Sequence, residues 1–332
     1  MDRLITLTSR EELERWQSLT GLRPIEPPEW AQHNPDAHWM SIGDGATLWA
    51  RCSLWWKRTP SLHGNQVGII GHYAARDTAI GGRLLQYCCR ELAARGCSLA
   101  VGPMDGNTWR RYRLITERGH EPVFFLEPDN PDDWPDHFLA LGFRPVARYF
   151  SAVTDDLGYE EPRVEQLARR MTAEGIRIRP LDPCAAEDDL RRIYAIAQVS
   201  FRNNFLYTPI PESEFLEQYR PLLSRIRPEL VLLAERQGEP VGFIFAVPDL
   251  KQAGRGRAID TVIVKTLAVL PERAHHGLGS LLLAECHATA RRLGYTRAIH
   301  ALIHEQNVSR NISRHYAHLF RRYALFAKPL ER

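Results

Sequence analysis

An internal repeat is the feature that most restricts the fold of this 332-residue chain. Residues 67–101 and residues 262–302 each read as a strand, a glycine-containing turn, a helix, a glycine at the end of that helix and a second strand. The two segments align when Gly96 is set against Gly294. Similarity over a period of this length predicts two copies of one structural unit.

The elements that precede each copy are repeated as well. Alternating apolar and polar residues predict one hairpin that turns at residues 44–45 and another that turns at residues 237–238. Before each hairpin the sequence reads as a strand followed by a helix. The same order of elements therefore occurs twice, which predicts two tandem α/β domains.

Charge and turn residues divide the two copies. The segment 155–175 is charged and has turn residues near its ends, which is typical of a polar linker helix. We therefore predict an N-terminal domain over 1–157, a linker helix over 158–175 and a C-terminal domain over 176–332. The first copy also carries an additional segment, 108–128, before its last helix. Such an insertion can cover a site or pack against the other domain.

Composition restricts the partners and the compartment. Apolar residues make up 44% and charged residues 25%, which is ordinary for a globular chain and indicates neither disorder nor a membrane span. The 43 basic residues exceed the 40 acidic residues by only three, so nucleic acid is not expected as a partner. The N-terminus lacks the apolar run of a signal peptide. We predict a cytoplasmic protein without a membrane partner.

The turn in the second copy has the properties of an anion-binding site. Gly277 and Gly279 lie where a strand pattern ends and a helical pattern begins. The first turn of a helix presents N–H groups without intrahelical partners, and the helix dipole adds positive potential there. Glycine allows a phosphate to approach this backbone closely.

This stretch resembles the GNAT superfamily of acyl-CoA-dependent N-acyltransferases. The central motif of that family is a strand with V-x-P, then R/Q-x-x-G-x-G/A and a helix. Here "LAVLPERAHHGLGSLLL" supplies Val269, Pro271, Gly277 and Gly279 in register. The first position of the glycine motif is Ala274 instead of Arg or Gln. The resemblance implies two tandem GNAT-like domains, each a mixed, mostly antiparallel sheet flanked by helices.

The resemblance also implies a set of residues that bind acetyl-CoA or another acyl-CoA as co-substrate. Backbone groups near Leu267 and Val269 are expected to contact the pantetheine arm and the thioester carbonyl. Asn311 belongs to a second, split motif and is assigned to the same cofactor. The pyrophosphate is expected to lie on the turn formed by Ala274, His275, His276, Gly277, Leu278, Gly279 and Ser280.

The first copy departs from the motif in the opposite way. Its turn, "RDTAIG", keeps Arg76 and Gly81 but has Ala79 at the place of the first glycine, and Asp77 would repel an anion. Phe138 stands where the family has a tyrosine, and phenylalanine cannot protonate a departing thiolate. The N-terminal domain is therefore predicted to be a degenerate copy, and the C-terminal domain to hold the acyl-CoA site.

Tyr316 is the candidate general acid of the C-terminal domain, and the general base is less defined. If residues 298–307 form a strand, His300 and His304 share one face and Glu305 lies on the other. His304 and Glu305 are the candidate bases, with a water relay or no dedicated base as the alternative. Lys265 stands where some family members carry an acid. The two histidines lack a third metal ligand in the sequence, so no metal is predicted.

The function predicted from the sequence is direct transfer of an acyl group, above all acetyl, from acyl-CoA to an amine of a small molecule or peptide. One alternative keeps the reaction but takes the acyl group from the pantetheine thioester of an acyl carrier protein in a biosynthetic pathway. Another alternative is a non-catalytic CoA-binding or scaffold protein.

Overall fold

The computed structural model describes residues 3–158, 163–272, 275–306 and 317–331. The elements of the first range are β1 (Arg3–Leu7), α1 (Arg10–Glu14), β2 (Thr20–Gly21), α2 (Pro27–His33), β3 (Ala37–Gly43), β4 (Thr47–Trp55), β5 (Ser61–Leu62), β6 (Asn65–Ala75), α3 (Thr78–Ala94), β7 (Leu99–Gly102), β8 (Leu114–Glu117), α4 (Trp134–Ala140) and β9 (Arg144–Thr154). The later ranges contain α5 (Val164–Ala173), β10 (Ile176–Pro180), α6 (Ala186–Ser200), α7 (Glu212–Tyr219), β11 (Val231–Arg236), β12 (Glu239–Pro248), α8 (Leu250–Gly254), β13 (Thr261–Val269), α9 (Leu278–Arg292), β14 (Arg297–His304) and β15 (His318–Pro329).

One hydrogen-bonded sheet runs through both halves of the chain. Its strands follow the order β1, β3, β4, β6, β7, β15, β9, β14, β13, β12, β11, β10, and the short β2, β5 and β8 pair beside this path. Among the described strands, β6 with β7, β13 with β14 and β2 with β4 are parallel, and the other pairs are antiparallel. The predicted mixed, mostly antiparallel sheet flanked by helices is confirmed.

The helices bury one face against the sheet. In α9 the side chains of Leu282, Cys286 and Ala290 are fully buried, as their helical spacing predicts. Gly294 follows this helix with a φ of 89°, a left-handed conformation that glycine adopts without strain. Within the described ranges, no helix is both long enough and apolar enough to cross a membrane.

The two halves exchange their last strands. β9, the final strand of the first half, pairs with β14 of the second half, where Val153 lies opposite Ile299. β15, the final strand of the second half, pairs with β7 of the first half, where Ala327 lies opposite Val101. β9 and β15 also pair with each other along most of their length. Each half therefore completes the sheet of the other.

A buried ion pair ties β15 to the insertion of the first half. The Arg321 guanidinium Nη1 lies 2.6 Å from Oε2 of Glu127, and both side chains are fully buried. Arg321 also donates from Nε to the Arg118 carbonyl, 2.7 Å away. The Tyr323 hydroxyl donates to the second carboxylate oxygen of Glu127 and lies 3.0 Å from Ser151 Oγ. Both charges are thus satisfied by several partners, as burial requires.

Breaking this pair from one side should destabilise the protein strongly. We expect Arg321→Met to lower the free energy of unfolding by about 3–5 kcal/mol, because it leaves the Glu127 carboxylate buried without its countercharge. The double variant Arg321→Met/Glu127→Leu should recover most of that loss. Urea denaturation followed by circular dichroism measures both.

Arg10→Met is the matched control, because Arg10 forms an exposed pair with Glu14 and is 58% exposed. Its loss should cost less than about 1 kcal/mol. An Arg321→Met variant no less stable than this control would contradict the role given to the buried pair.

Candidate active site

The strands β13 and β14 separate partway along their length. Their parallel pairing ends where Val264 lies opposite His300. Beyond that point β13 continues to Val269 with β12 as its partner. In the part of the chain that the structure describes, no strand covers the other edge of β13 after Val264. The Val269 carbonyl accepts from Ser200 Oγ at 3.2 Å, and the other backbone N–H and C=O groups on that edge can bond to a ligand.

A β-bulge places Lys265 where the strands separate. The pairing of β12 with β13 shifts at this point, because Val264 and Thr266 have partners on β12 and Lys265 is the extra residue between them. Lys265 and Leu267 both line the neighbouring cavity. The bulge thus brings an amine to the start of the open edge.

A large cavity lies against this edge, between the two halves. Its volume is about 800 Å³, within the range of small-molecule sites. Most of its lining side chains are apolar or aromatic, and the aromatic ones include Trp109, Tyr149, Phe201, Phe215, Tyr219 and Phe243. A cavity with such walls suits a ligand with a substantial apolar surface.

The 108–128 insertion forms one wall of the cavity. Trp109 packs its ring against Phe201 and Phe215 and donates from Nε1 to the Thr208 carbonyl, 2.9 Å away. The neighbouring Arg110 forms an ion pair of 2.6 Å with Glu214 of α7. The sequence suggested that the insertion covers a site or packs against the other domain. The structure shows that it borders a cavity and packs against the second half.

The Lys265 amine has an environment that favours its neutral form. Its Nζ donates to the Leu126 carbonyl at 3.1 Å. Burial, reinforced by the charge of Arg113, lowers the pKa of Lys265 to about 7, against the opposing effect of Glu127. Glu127 itself is bound by Arg321, so its carboxylate is not free to hold the lysine as an ion pair.

Arg113 is the second cation of the cavity wall. Its guanidinium lies between the rings of Tyr112 and Tyr149, at 3.8 and 3.9 Å from their centroids. Nη1 donates to the Leu302 carbonyl at 3.2 Å. The guanidinium is therefore fixed in place, where its charge disfavours protonation of the neighbouring bases.

His304 lines the same cavity. Its ring packs edge-on against Tyr149, with centroids 4.9 Å apart, and Nδ1 accepts a hydrogen bond from the Gln306 backbone N–H at 3.1 Å. Burial, followed by the charge of Arg113, lowers the pKa of His304. The imidazole is therefore neutral near pH 7, and His304 remains a candidate base.

The prediction that His300 shares a face with His304 is wrong. Leu302 has a φ of 60°, and the pairing of β14 with β9 shifts between His300 and Ile303, so a bulge interrupts the alternation of the strand. His300 also borders the cavity, and its Nε2 lies 3.1 Å from Nε2 of His287 on α9. The bulge turns His304 to the opposite side.

Glu305 does not line the cavity. Its Oε1 forms an ion pair with Nη1 of Arg322 at 2.9 Å, and its backbone N–H donates to the Arg148 carbonyl. This placement argues against Glu305 as the general base, because a base must reach the amine that it deprotonates. The alternation of the strand could not show that Arg322 on β15 comes alongside.

The turn before α9 has the backbone that the sequence analysis expected. Gly277 has a φ of 90° and precedes Leu278, the first residue of the helix. By their position in the first turn, the N–H groups of Leu278, Gly279 and Ser280 have no intrahelical acceptor. A Cβ on Gly277 would lie 2.7 Å from Cδ2 of Leu167, so α5 packs directly against this turn.

The two histidines of the turn differ in exposure. His275 is buried, with Nδ1 3.3 Å from the Leu270 carbonyl, whereas His276 is exposed. Only His276 presents its side chain at the surface. Arg170 of α5 donates from Nη2 to the His276 carbonyl, which brings a guanidinium to the turn.

Three predicted site residues lie outside the described residues: Ala274, Asn311 and Tyr316. Their roles stay predictions. Arg113 and Arg170, which come from the insertion and the linker, were not predicted from the sequence. Both residues lie in segments without a recognised motif, so the sequence shows only that they are basic. They reach the site through packing between segments that are far apart in the chain.

Comparison with known proteins agrees with this geometry. Residues 190–316 match the sequence profile of the Acetyltransferase (GNAT) family. A curated relative, the bacterial ceramide synthase of Caulobacter vibrioides, is 24% identical over 187 residues. That match covers 56% of this chain and 49% of the relative, so it spans about half of the relative's length.

Solved structures share the fold over nearly the whole chain. A tandem GNAT protein from the clavulanic acid biosynthesis pathway is 10% identical and has a TM-score of 0.52, with 100% of this chain and 99% of that chain covered. A GCN5-related N-acetyltransferase from Sphaerobacter thermophilus is 16% identical with a TM-score of 0.52, covering 98% and 86%. A glucosamine N-acetyltransferase region of a fungal multi-domain enzyme reaches 0.57 at 13% identity, covering 99% and 38%.

The sheet, the separated strands and the glycine turn occur here in the arrangement of two fused copies of one fold. Residues 190–316 thus match the GNAT family, and the whole chain shares the fold of a tandem GNAT protein.

Substitutions of Gly277 should separate backbone strain from steric conflict. Gly294 has a φ of 89°, and no atom lies within 4 Å of the place that a Cβ would take, so Gly294→Ala should cost about 1–2 kcal/mol through backbone conformation alone. Gly277 has a φ of 90°, and a Cβ there also meets Leu167, so Gly277→Ala should cost more. The melting temperatures of the two variants make the comparison.

The double variant Gly277→Ala/Leu167→Ala is compared with Leu167→Ala alone. The glycine substitution should cost less in that background than in the wild-type chain, because the clash is gone. An equal cost in both backgrounds would show that α5 does not press on the turn.

Proposed function

We propose that the protein is an N-acyltransferase that moves an acyl group, above all acetyl, from acyl-CoA directly to the amine of a small molecule with an apolar body. The observation that supports this best is that the aromatic cavity ends on the open edge of β13, beside Lys265. A thioester lying along this edge and an amine held in the cavity meet at the bulge.

The donor side relies mainly on backbone groups. The open edge at Leu267 and Val269 suits the amides of a pantetheine arm, which add hydrogen bonds to a strand edge. The first-turn amides of α9 and the helix dipole suit the pyrophosphate. Arg170 supplies a positive charge at this turn, where the family motif has Arg or Gln and this chain has Ala274.

The acceptor side is specified by the cavity walls. Their aromatic and aliphatic side chains favour an apolar chain or ring system over a polar peptide. The curated relative is named a bacterial ceramide synthase, and a ceramide is an amide of a long-chain amino alcohol. Both observations favour an acceptor in which a primary amine is joined to a long apolar chain.

The proposed chemistry begins with removal of a proton from the acceptor ammonium. Lys265, with a pKa of about 7, is largely neutral at slightly alkaline pH and takes that proton. The amine nitrogen then forms a C–N bond with the thioester carbon, and the C–S bond breaks to release the CoA thiolate. The nitrogen still carries two hydrogens at this point, and it loses the second proton to water as the amide forms, which allows the phenol that protonates the thiolate to be restored from water. Tyr316 remains the proposed donor of the proton that the thiolate takes up.

The direct test is an assay of thiol release from acetyl-CoA, with octanoyl-CoA and palmitoyl-CoA as alternative donors. Amines of increasing chain length, from ethanolamine to dodecylamine and sphinganine, serve as acceptors. We expect the long-chain amines to raise the rate above the background hydrolysis and the short amines to do so weakly. Mass spectrometry of the product identifies the amide.

Two results would count against the proposal. One is a rate that no amine raises with any donor, which would favour a CoA-binding protein without transfer activity. The other is transfer from an acylated carrier protein in the absence of any transfer from acyl-CoA, which would favour the carrier-protein donor.

The pH profile tests the role of Lys265. A base must be deprotonated to act, so kcat/KM should rise with pH through an inflection near pH 7. Lys265→Arg keeps a positive charge but cannot give it up, and it should lower kcat by about 10²–10⁴-fold and abolish that inflection. The KM for acyl-CoA should change little.

Lys251→Arg is the matched control, because Lys251 belongs to α8 and does not line the cavity. It should keep both the rate and the inflection. If Lys265→Arg also keeps the inflection near pH 7, another group is the base, and His304→Asn is then the variant to examine.

A further inference from the structure

Three potential metal ligands converge in the N-terminal half, and none of them lines the cavity described above. Glu29 and His33 lie four residues apart on one face of α2, and His72 projects from β6. One ligand atom of each residue lies within 4.8 Å of the other two. We propose that Glu29, His33 and His72 form a binding site for a divalent cation of the Zn²⁺ type.

The backbone at His72 is held in an unusual conformation. His72 has a φ of 48°, which costs free energy for a residue with a side chain and is typical of functional positions. Its backbone N–H donates to Oδ1 of the buried Asp105 at 2.5 Å. The preceding Gly71 lies so close to Met104 that a Cβ would be 2.0 Å from the Met104 carbonyl oxygen. These constraints aim the imidazole at α2.

Polar side chains behind His72 fix the orientation of its ring. Nδ1 of His72 lies 2.8 Å from Ser53 Oγ, and that hydroxyl lies 2.7 Å from Nδ1 of His38. When His72 Nδ1–H donates to Ser53 and Ser53 donates to His38, the Nε2 lone pair of His72 points at His33. Metal-binding histidines are commonly held in this way by a partner on the second ring nitrogen.

The two facing ring nitrogens now share a single proton. Nδ1 of His33 lies 2.7 Å from Nε2 of His72, so one of them donates and the other accepts. Burial lowers the pKa of both rings, that of His33 to about 3, so a second proton does not enter between them near pH 7. A cation can replace the shared proton after His33 changes tautomer, with the nitrogens moving apart to about 3.3 Å for tetrahedral bonds near 2.0–2.1 Å.

Space for a further ligand adjoins the cluster. A cavity of about 40 Å³ is lined by Glu29, His72 and Asp105 among others, and this volume accepts a water molecule. Two imidazoles, one carboxylate and one water make a tetrahedral set that suits Zn²⁺ better than the all-oxygen sets of Mg²⁺ and Ca²⁺. Glu29 is exposed, which gives the ion an entrance.

The charges around the cluster are mixed. Arg51, Arg110 and Arg111 act on the two histidines and oppose a bare cation. Arg110 is neutralised by its ion pair with Glu214, and the carboxylate of Asp105 opposes the remaining positive charge. The carboxylates of Asp105 and Glu29 together offset the positive charge around the cluster. The ion must therefore be held by coordination bonds and not by long-range electrostatic attraction.

The site lies at a strand bulge that has a counterpart in the second copy of the repeat. β6 pairs in parallel with β7 up to Ile69, as β13 pairs with β14 up to Val264, and a bulge follows in both strands. His72 lies in the first bulge and Lys265 in the second. The N-terminal copy thus has a polar centre at the bulge that corresponds to the bulge with the candidate base in the C-terminal copy, further along the strand from the last parallel pair.

The test is metal binding to the purified full chain after removal of any affinity tag and treatment with a chelator. Titration with ZnCl₂ should show one equivalent bound per chain, and CoCl₂ should give the visible absorption bands of tetrahedral Co²⁺. His33→Gln and His72→Asn should lower the Zn²⁺ affinity by more than 100-fold, since each removes a ligand. Asn is chosen at position 72 because it tolerates a positive φ.

Ser53→Ala and His120→Gln complete the series. Ser53→Ala should lower the affinity by about 10–100-fold, the effect of losing a group that orients a metal ligand. His120→Gln removes an exposed histidine outside the cluster and should bind like the wild type. Circular dichroism confirms that each variant is folded.

Wild-type protein that binds no Zn²⁺, or His33→Gln and Glu29→Gln variants that both keep wild-type affinity, would overturn the proposal. The readout is binding and not acyl transfer, so this result is independent of the test of the proposed function.

Discussion

The exchange of β9 and β15 is the constraint on which the rest of the structure depends. Because each half completes the other's sheet, the two copies share one continuous hydrogen-bonded sheet. The buried pair of Arg321 and Glu127 fixes the exchanged strand against the insertion of the first half. That insertion then forms a wall of the cavity, so the position of the candidate active site follows from strand exchange.

The sequence predicted the units of this fold better than their connections. Helical and strand periodicity and the paired glycines identified β6, α3 and β7 and their counterparts β13, α9 and β14, because these signals are local. No local signal says which half a strand completes. The faces of His300 and His304 were mispredicted for a related reason: a bulge at Leu302 depends on pairing with β9, which periodicity does not contain.

The residues of the candidate site also differ in whether a local sequence signal could reveal them. Gly277 could be identified from the sequence because a turn with a φ of 90° strongly favours glycine. In the sequence, Lys265 was notable only because it stands where some family members carry an acid. Its lowered pKa arises from burial and from Arg113 in the other half. Arg170 reaches the turn from α5. Properties that depend on distant neighbours could not be obtained from the motif alone.

The wall contributed by Trp109 has an evolutionary consequence. The glycine turn and the open strand edge belong to the second copy, whereas this wall belongs to the first copy, whose own turn has Ala79 at the place of the first glycine. Substitutions in the first copy can therefore change the wall of the cavity while the turn and the open strand edge of the second copy stay intact. If the cavity holds the acceptor as proposed, the first copy can vary in a way that changes which acceptor is used without altering the second copy.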